Sequence, residues 1–181
     1  MGDPPQDTIS VWTTVYKTEL GWIADVDEKF VCDDFHNGCV HLLAYLDGEP
    51  VGTARVVFPC NGYLPCEGKA NDKTVLRDCK NKAEITRVMV IDRFRKMTFP
   101  CYPNGIYDAL MQRAITVCQS NLVELVAMDV RIQSSKNSIF RSLKKFGFLP
   151  TGISYPDPLG VHFPDCTTVI LDTKSKVRQP V

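Results

Sequence analysis

The spacing of apolar residues changes along this chain in a fixed order. From Val11 to Lys29 apolar and acidic residues mix at intervals that predict helix over part of the stretch. His41–Asp47 (HLLAYLD) is a short apolar run closed by Asp47-Gly48, a dipeptide that favours positive φ. Glu49–Pro59 (EPVGTARVVFP) follows as a Val-rich run, so the two predict a β-hairpin. Cys60–Lys82 carries Gly, Asn and Lys without a clear period and is expected to run over the surface. Ala83–Asp92 (AEITRVMVID), dense in β-branched residues, reads as a third strand.

Asn104 is a good N-cap for a helix reaching about Ser120, with Ile106, Leu110, Ala114, Val117 and Cys118 as its apolar stripe. Leu122–Arg131 is apolar nearly throughout, as expected of a strand covered on both faces. Ser134 or Ser135 caps a second helix with Ile139, Leu143 and Phe146 on one side, and Gly147 ends it. Phe148–Tyr155 and Cys166–Asp172 are two last strands joined by a Pro-rich segment, Pro156–Asp165. The order predicts an α/β (α+β) domain over residues 11–172, with a mixed central sheet of six to seven strands flanked by helices. The helix between two strands implies a right-handed parallel crossover. Residues 1–10 and 173–181, polar at both ends, are expected to be flexible.

Charge narrows the function classes. The 21 Lys+Arg balance 21 Asp+Glu, which argues against a nucleic-acid or anionic-membrane binder. No run approaches a membrane span, and Met1–Asp7 has neither a basic n-region nor an apolar h-region, so a cytoplasmic protein is expected. The eight cysteines have no zinc-finger spacing between them or with His36, His41 and His162. They are read as free thiols, several of them buried, and no metal is expected.

Three constellations can carry chemistry. Glu84 and Arg87 lie in the third strand, where residues three apart face opposite ways unless a bulge intervenes. Glu84 is either an edge charge paired with a neighbour such as Arg55, or a carboxylate that takes a proton from an attacking amine, directly or through water. Arg93, Arg95 and Lys96, followed by Asn104-Gly105 at a helix start, form either a solvated basic loop or an anion site. Tyr16 and Trp22 with Asp25, Asp27, Asp33 and Asp34 could face an amino-bearing substrate, or the two aromatics could be one face of a helix. Ser134 and Ser135 are better explained as caps than as nucleophiles.

In this order the segments HLLAYLDGEPVGTARV, AEITRVMVIDRFRK, the helix from Asn104 and NSIFRSLKKFGF resemble a GNAT-type N-acyltransferase over about Val15–Asp172. The narrower similarity is to the branch of acyl-homoserine-lactone synthases and N-acyl amino acid synthases. Tyr16 and Trp22, then Asp33 or Asp34, Arg55, and Glu84 with Arg87 stand in that branch's order. The resemblance implies a single GNAT-like domain with a splayed pair of central strands. Backbone groups of Val88, Met89 and Val90 would then pair with the pantetheine arm of an acyl donor. Arg93, Arg95, Lys96 and the amides near Asn104 and Gly105 would hold its pyrophosphate, and Asn137 would lie near the donor. It also implies Glu84 as base, Arg55 and Arg87 orienting it or binding an acceptor carboxylate, and Tyr16, Trp22, Asp33 and Asp34 around the acceptor.

The sequence departs from that pattern at identifiable places. Trp12 stands where the branch carries Arg, and the Gly-x-Gly phosphate loop gives way to a longer, Pro-containing segment, Met97–Pro103. Leu143 stands where a Tyr often protonates the leaving thiolate, so another group does this or the thiolate leaves unprotonated. The expected activity is transfer of an acetyl or longer acyl group from a coenzyme A thioester to a small-molecule amine, by a monomer or homodimer. The alternatives are a synthase that takes its acyl group from an acyl carrier protein, and a non-catalytic acyl-CoA-binding module.

Overall fold

The computed structural model describes residues 4–31, 33, 35–69, 76, 78–131, 138–156 and 165–174. Six strands follow one another in the hydrogen-bonded order β1-β2-β3-β4-β6-β5. They are β1 (Cys39–Leu46), β2 (Glu49–Val57), β3 (Lys82–Val90), β4 (Leu125–Arg131), β5 (Leu149–Pro156) and β6 (Asp165–Asp172). The mixed six-stranded sheet is the one the sequence predicts. By its internal contacts the chain divides into two compact units: Met1–Val57 with Ile85–Val117, and Phe58–Glu84 with Cys118–Val181. β3 contributes to both.

In the first unit, α1 (Gln6–Trp12) begins inside the expected flexible end, because Thr8, Val11 and Trp12 are fully buried. The helix continues as a π-turn over Thr13–Glu19, with Leu20 N–H donating to Val15 C=O at 3.0 Å. Such wider turns are rare and favour functional positions. The β1–β2 hairpin closes as the sequence predicts, with Asp47 at φ 50 and Gly48 at φ 82, the twist-matched turn geometry. Two apolar clusters fill this unit. One gathers Val11, Trp12, Val15, Val31 and Met89; the other gathers Ala44, Val51, Ala54, Val90, Ile106 and Leu110. The second cluster receives Ile106 and Leu110 from the predicted stripe of α4 (Ile106–Ser120).

In the second unit, β4 and β6 form an antiparallel ladder from Leu125↔Asp172 to Arg131↔Cys166, and β5 lines the other side of β6. β3 runs parallel to β4 over Lys82↔Leu125, Ala83↔Val126 and Glu84↔Ala127, which are its pairs among the described residues. The described part of the Cys60–Lys82 segment is only partly the surface excursion its polarity suggests. It folds α3 (Pro65–Lys69) inward, with Leu64, Cys66 and Leu76 at 0% exposure around Ala127. The charges it carries in are paired: Lys82 Nζ lies 2.6 Å from Glu67 Oε1 and donates to Leu76 C=O, and Leu64 N–H donates to Glu67 Oε2. α5 (Ser138–Lys145) buries Leu143 and stops at Gly147 (φ 88), where Phe148 N–H reaches back to Leu143 C=O. Its expected caps, Ser134 and Ser135, lie outside the described residues.

Candidate functional site

The turning point of the site is Arg87. It sits at φ 51 inside β3, a left-handed conformation that costs a non-glycine residue roughly 1–2 kcal/mol. This kink interrupts the strict alternation that would set Glu84 and Arg87 on opposite faces. The surroundings hold it in place. Arg87 Nη2 donates to Phe30 C=O at 2.8 Å and to Asp33 Oδ2 at 3.1 Å. Its guanidinium carbon lies 4.3 Å from the Trp12 ring centroid and 4.2 Å from that of Phe30. A strained residue so heavily constrained is the usual mark of a functional position.

Arg55 converges on the same carboxylate. Its Nη1 is 2.7 Å from Asp33 Oδ2, while its Nε donates to Thr86 Oγ1 at 3.0 Å. The arginine side chains are 4% and 12% exposed, so a single carboxylate, 26% exposed, lies between two nearly desolvated cations. Burial, then the like charge of Arg55, pulls Arg87 down to about 10, leaving it charged at neutral pH. Arg87 Nη1 is buried and makes no hydrogen bond among the described residues.

His41, 5.6 Å from Trp12 ring to ring, is held down to about 4 by burial and by both arginines. Its Nε2 is 3.3 Å from Cys39 Sγ, and burial pushes that thiol up. The pair is a neutral imidazole beside a neutral thiol, the reverse of an activated nucleophile.

The acidic residues expected to act together separate. Asp25 binds Lys17 and the Val26 amide; Asp27 caps α2 (Glu28–Val31) through the Phe30 amide. Asp33 alone of the described set reaches the arginines, and Asp34 lies outside the described residues. Tyr16 and Trp22 do meet, at 6.0 Å between ring centroids, because Trp22 N–H bonds Tyr16 C=O where the π-turn ends. Tyr16 also packs edge-on to Phe30 at 5.4 Å.

Glu84 belongs to a different cluster, in the second unit. Its side chain has no exposed surface, and Oε2 accepts the Cys66 N–H at 2.8 Å. With no exposed surface, Glu84 does not meet an amine directly in this conformation, and Arg55 directs its Nη1 to Asp33. A ligand atom each from Cys66, Glu84 and Asp129 lies within 4.8 Å of the others. Asp129 is half-buried, and its Oδ1 accepts from Thr168 Oγ1 at 3.2 Å. Burial pushes the Cys66 thiol up, helped by the two carboxylates beside it. Nothing in the spacing of these residues marks them as neighbours.

After β3 the cations are spent on acids. Arg93 pairs with Glu49. Arg95 pairs with Glu19 at 2.5 Å and Asp92 at 2.9 Å, and its Nε donates to Val90 C=O. Both are the cations the sequence reads as a solvated basic loop or an anion site; Lys96, the third, is exposed, at φ 61. α4 starts two residues beyond Asn104, so the cap position falls on Gly105, whose φ of 90 suits glycine. Asn137 lies outside the described residues. The residues the sequence did not single out are Phe30, Cys66, Asp129 and Tyr155. Trp12 it marked only as a missing arginine.

The seven cysteines among the described residues, Cys39, Cys60, Cys66, Cys79, Cys101, Cys118 and Cys166, form no disulfide, and Cys66, Cys118 and Cys166 are buried. Among the described residues no helix is long and apolar enough to cross a membrane.

No family model matches the chain, and no curated protein matches it in sequence. Solved structures match it in shape. FeeM, an N-acyl amino acid synthase from uncultured soil microbes, superposes with a TM-score of 0.70 at 14% identity, covering 99% of this chain and 98% of that one. Ard1 from Thermoplasma volcanium gives 0.63 at 20% identity over 93% of each chain. An aminoglycoside 6'-N-acetyltransferase complexed with coenzyme A gives 0.60 at 11% identity, over 93% of this chain and 89% of that one. At these identities the likeness is one of architecture: the chain has the fold of the GNAT-type acyltransferases.

Proposed function

We propose that the protein is an N-acyltransferase that moves an acyl group from a coenzyme A thioester to the amine of a small molecule. The observation that carries this reading is the strained Arg87, locked by Asp33, Phe30 and Trp12 one residue before the Val88–Val90 backbone. The shared fold supports it, as does the short β3–β4 ladder, whose described pairs stop at Glu84.

In this reading the amides and carbonyls of Val88, Met89 and Val90 receive the pantetheine arm, and an amide polarises the thioester carbonyl as negative charge develops. Lys96 and the chain at Asn104-Gly105, where α4 begins, hold the phosphates. The acceptor's amine attacks the carbonyl, its proton passes by way of water to the Glu84 carboxylate, and the thiolate leaves. Arg55 and Arg87 fix an anionic group on the acceptor, and Tyr16 and Trp22 pack against its body.

The test is a panel of acetyl- to long-chain acyl-CoA thioesters, read first by melting temperature and then by free-thiol release with an amine mixture. A thioester that binds the native state raises the melting temperature. Glu84→Gln is expected to lower turnover about 10²- to 10⁴-fold. No thermal shift and no thiol release across the panel would remove the proposal. A second reading keeps an acyl carrier protein as donor, favoured by Arg93, 63% exposed, beside exposed Lys96. It predicts thiol release from acyl carriers alone, at a rate that falls steeply with salt.

A further inference from the structure

The second unit buries a thiol and two carboxylates at one spot, on three segments far apart in sequence. Cys66 begins the inward fold of α3, Glu84 lies on β3 and Asp129 on β4. Cys66 and Glu84 are each at 0% exposure, and Asp129 is half-buried. We propose that Cys66 Sγ with the Glu84 and Asp129 carboxylates forms a binding site for a borderline divalent cation of the zinc type.

The donor set fits that class. One thiolate with two carboxylates suits a cation that takes both sulfur and oxygen, and excludes magnesium and calcium, which select oxygen alone. Around a tetrahedral zinc, with bonds of about 2.3 Å to sulfur and 2.0–2.2 Å to oxygen, ligands stand roughly 3.4–3.6 Å apart. The three ligand atoms lie within 4.8 Å of one another, a gathering compatible with one shared ion.

A second observation points the same way. Tyr155 is 6% exposed and its hydroxyl closes no well-formed hydrogen bond among the described residues, although it faces Asp129 and Thr168. Thr168 is fully buried and already donates to Asp129 Oδ1 at 3.2 Å. Hydroxyls that donate to a ligating carboxylate are the outer support that orients metal ligands. The Tyr155 hydroxyl, beside the Asp129 carboxylate, would serve as a further outer support when that carboxylate holds a cation. The backbone amide of Cys66, bonded to Glu84 Oε2 at 2.8 Å, supports the second carboxylate in the same way.

Cation binding is independent of the acyltransferase reading, and the two meet only at Glu84. If Glu84 is the proton acceptor, an occupied site takes its lone pair and transfer stops. The test therefore reads metal without turnover. Chelator-treated, reduced protein is titrated with Co²⁺, and Zn²⁺ is then added in competition. The expected result is one cobalt per chain, with a near-ultraviolet sulfur-to-cobalt charge-transfer band that Zn²⁺ abolishes and with release of a proton. Cys66→Ala removes the band, and Asp129→Asn keeps a band but weakens affinity 10- to 100-fold. Cys101→Ser, on an exposed thiol, changes neither. Should Cys66→Ala not fold, Asp129→Asn and Tyr155→Phe carry the test, the latter weakening affinity without altering the band. Absence of the band at micromolar cobalt, a band that survives Cys66→Ala, or Asp129→Asn affinity equal to wild type overturns the proposal.

Discussion

Replacing Asp33 by Asn tests the energetics of the arginine cluster. The carboxylate is 2.7 Å from Arg55 Nη1 and 3.1 Å from Arg87 Nη2, both on nearly buried side chains. At an effective dielectric near 20, each attraction across about 4 Å amounts to roughly 4 kcal/mol before desolvation is set against it. Asparagine removes both attractions and leaves the repulsion between the guanidiniums uncompensated by this residue. Breaking a buried pair costs about 3–5 kcal/mol, and the partial exposure of Asp33 places the expected loss near 3 kcal/mol. For a chain of this length that is a fall in melting temperature of roughly 6–12 °C. Urea denaturation of Asp33→Asn, Arg87→Met and the double variant gives the coupling directly. It is expected to exceed about 1 kcal/mol, because the residues share one contact. A melting change under about 2 °C, or additive single losses, would refute the idea that one carboxylate holds both arginines.

Other predictions concern neighbouring features. Lys82→Met leaves Glu67, 4% exposed, without its 2.6 Å cation, and is expected to cost about 3–5 kcal/mol in chemical denaturation. Adding Glu67→Gln restores part of that loss. His41, ordinarily near 6.5, is held at about 4 in the fold, so between these values the unfolded chain takes up the proton first and stability falls as pH drops. Discounting for its half-exposed ring, the loss is about 1–2 kcal/mol, and His41→Gln flattens the acid limb of melting temperature against pH. A Cβ at Gly52 would stand 3.0 Å from Met89 C=O, 3.1 Å from Ile106 Cγ2 and 3.2 Å from Leu110 Cδ1. Gly52→Ala is therefore expected to cost about 1–3 kcal/mol by overpacking and to raise the KM for a thioester that uses the Met89 backbone.

Much of this molecule is set by local pattern. The hairpin follows from Asp47-Gly48 between apolar runs, since few dipeptides accept two successive positive φ angles. The core face of α4 follows from residues recurring at the helical period, and the end of α5 from Gly147. Tyr16, Trp22, Asp33, Arg55, Glu84 and Arg87 are visible as an ordered set for the same reason: order along a chain is a one-dimensional property. Tertiary structure alone decided which of them share a place. The left-handed Arg87 breaks the alternation of β3 and faces Asp33, Phe30 and Trp12, while Glu84, three residues earlier, turns into a separate buried cluster. The polar composition of Cys60–Lys82 hid an inward fold, because pairing Lys82 with Glu67 lets charges enter a core that either alone could not. Cys66, Glu84 and Asp129 stand at no telling interval. Their proximity exists only once parallel β3 and β4 bring distant segments side by side, and no local propensity encodes that contact.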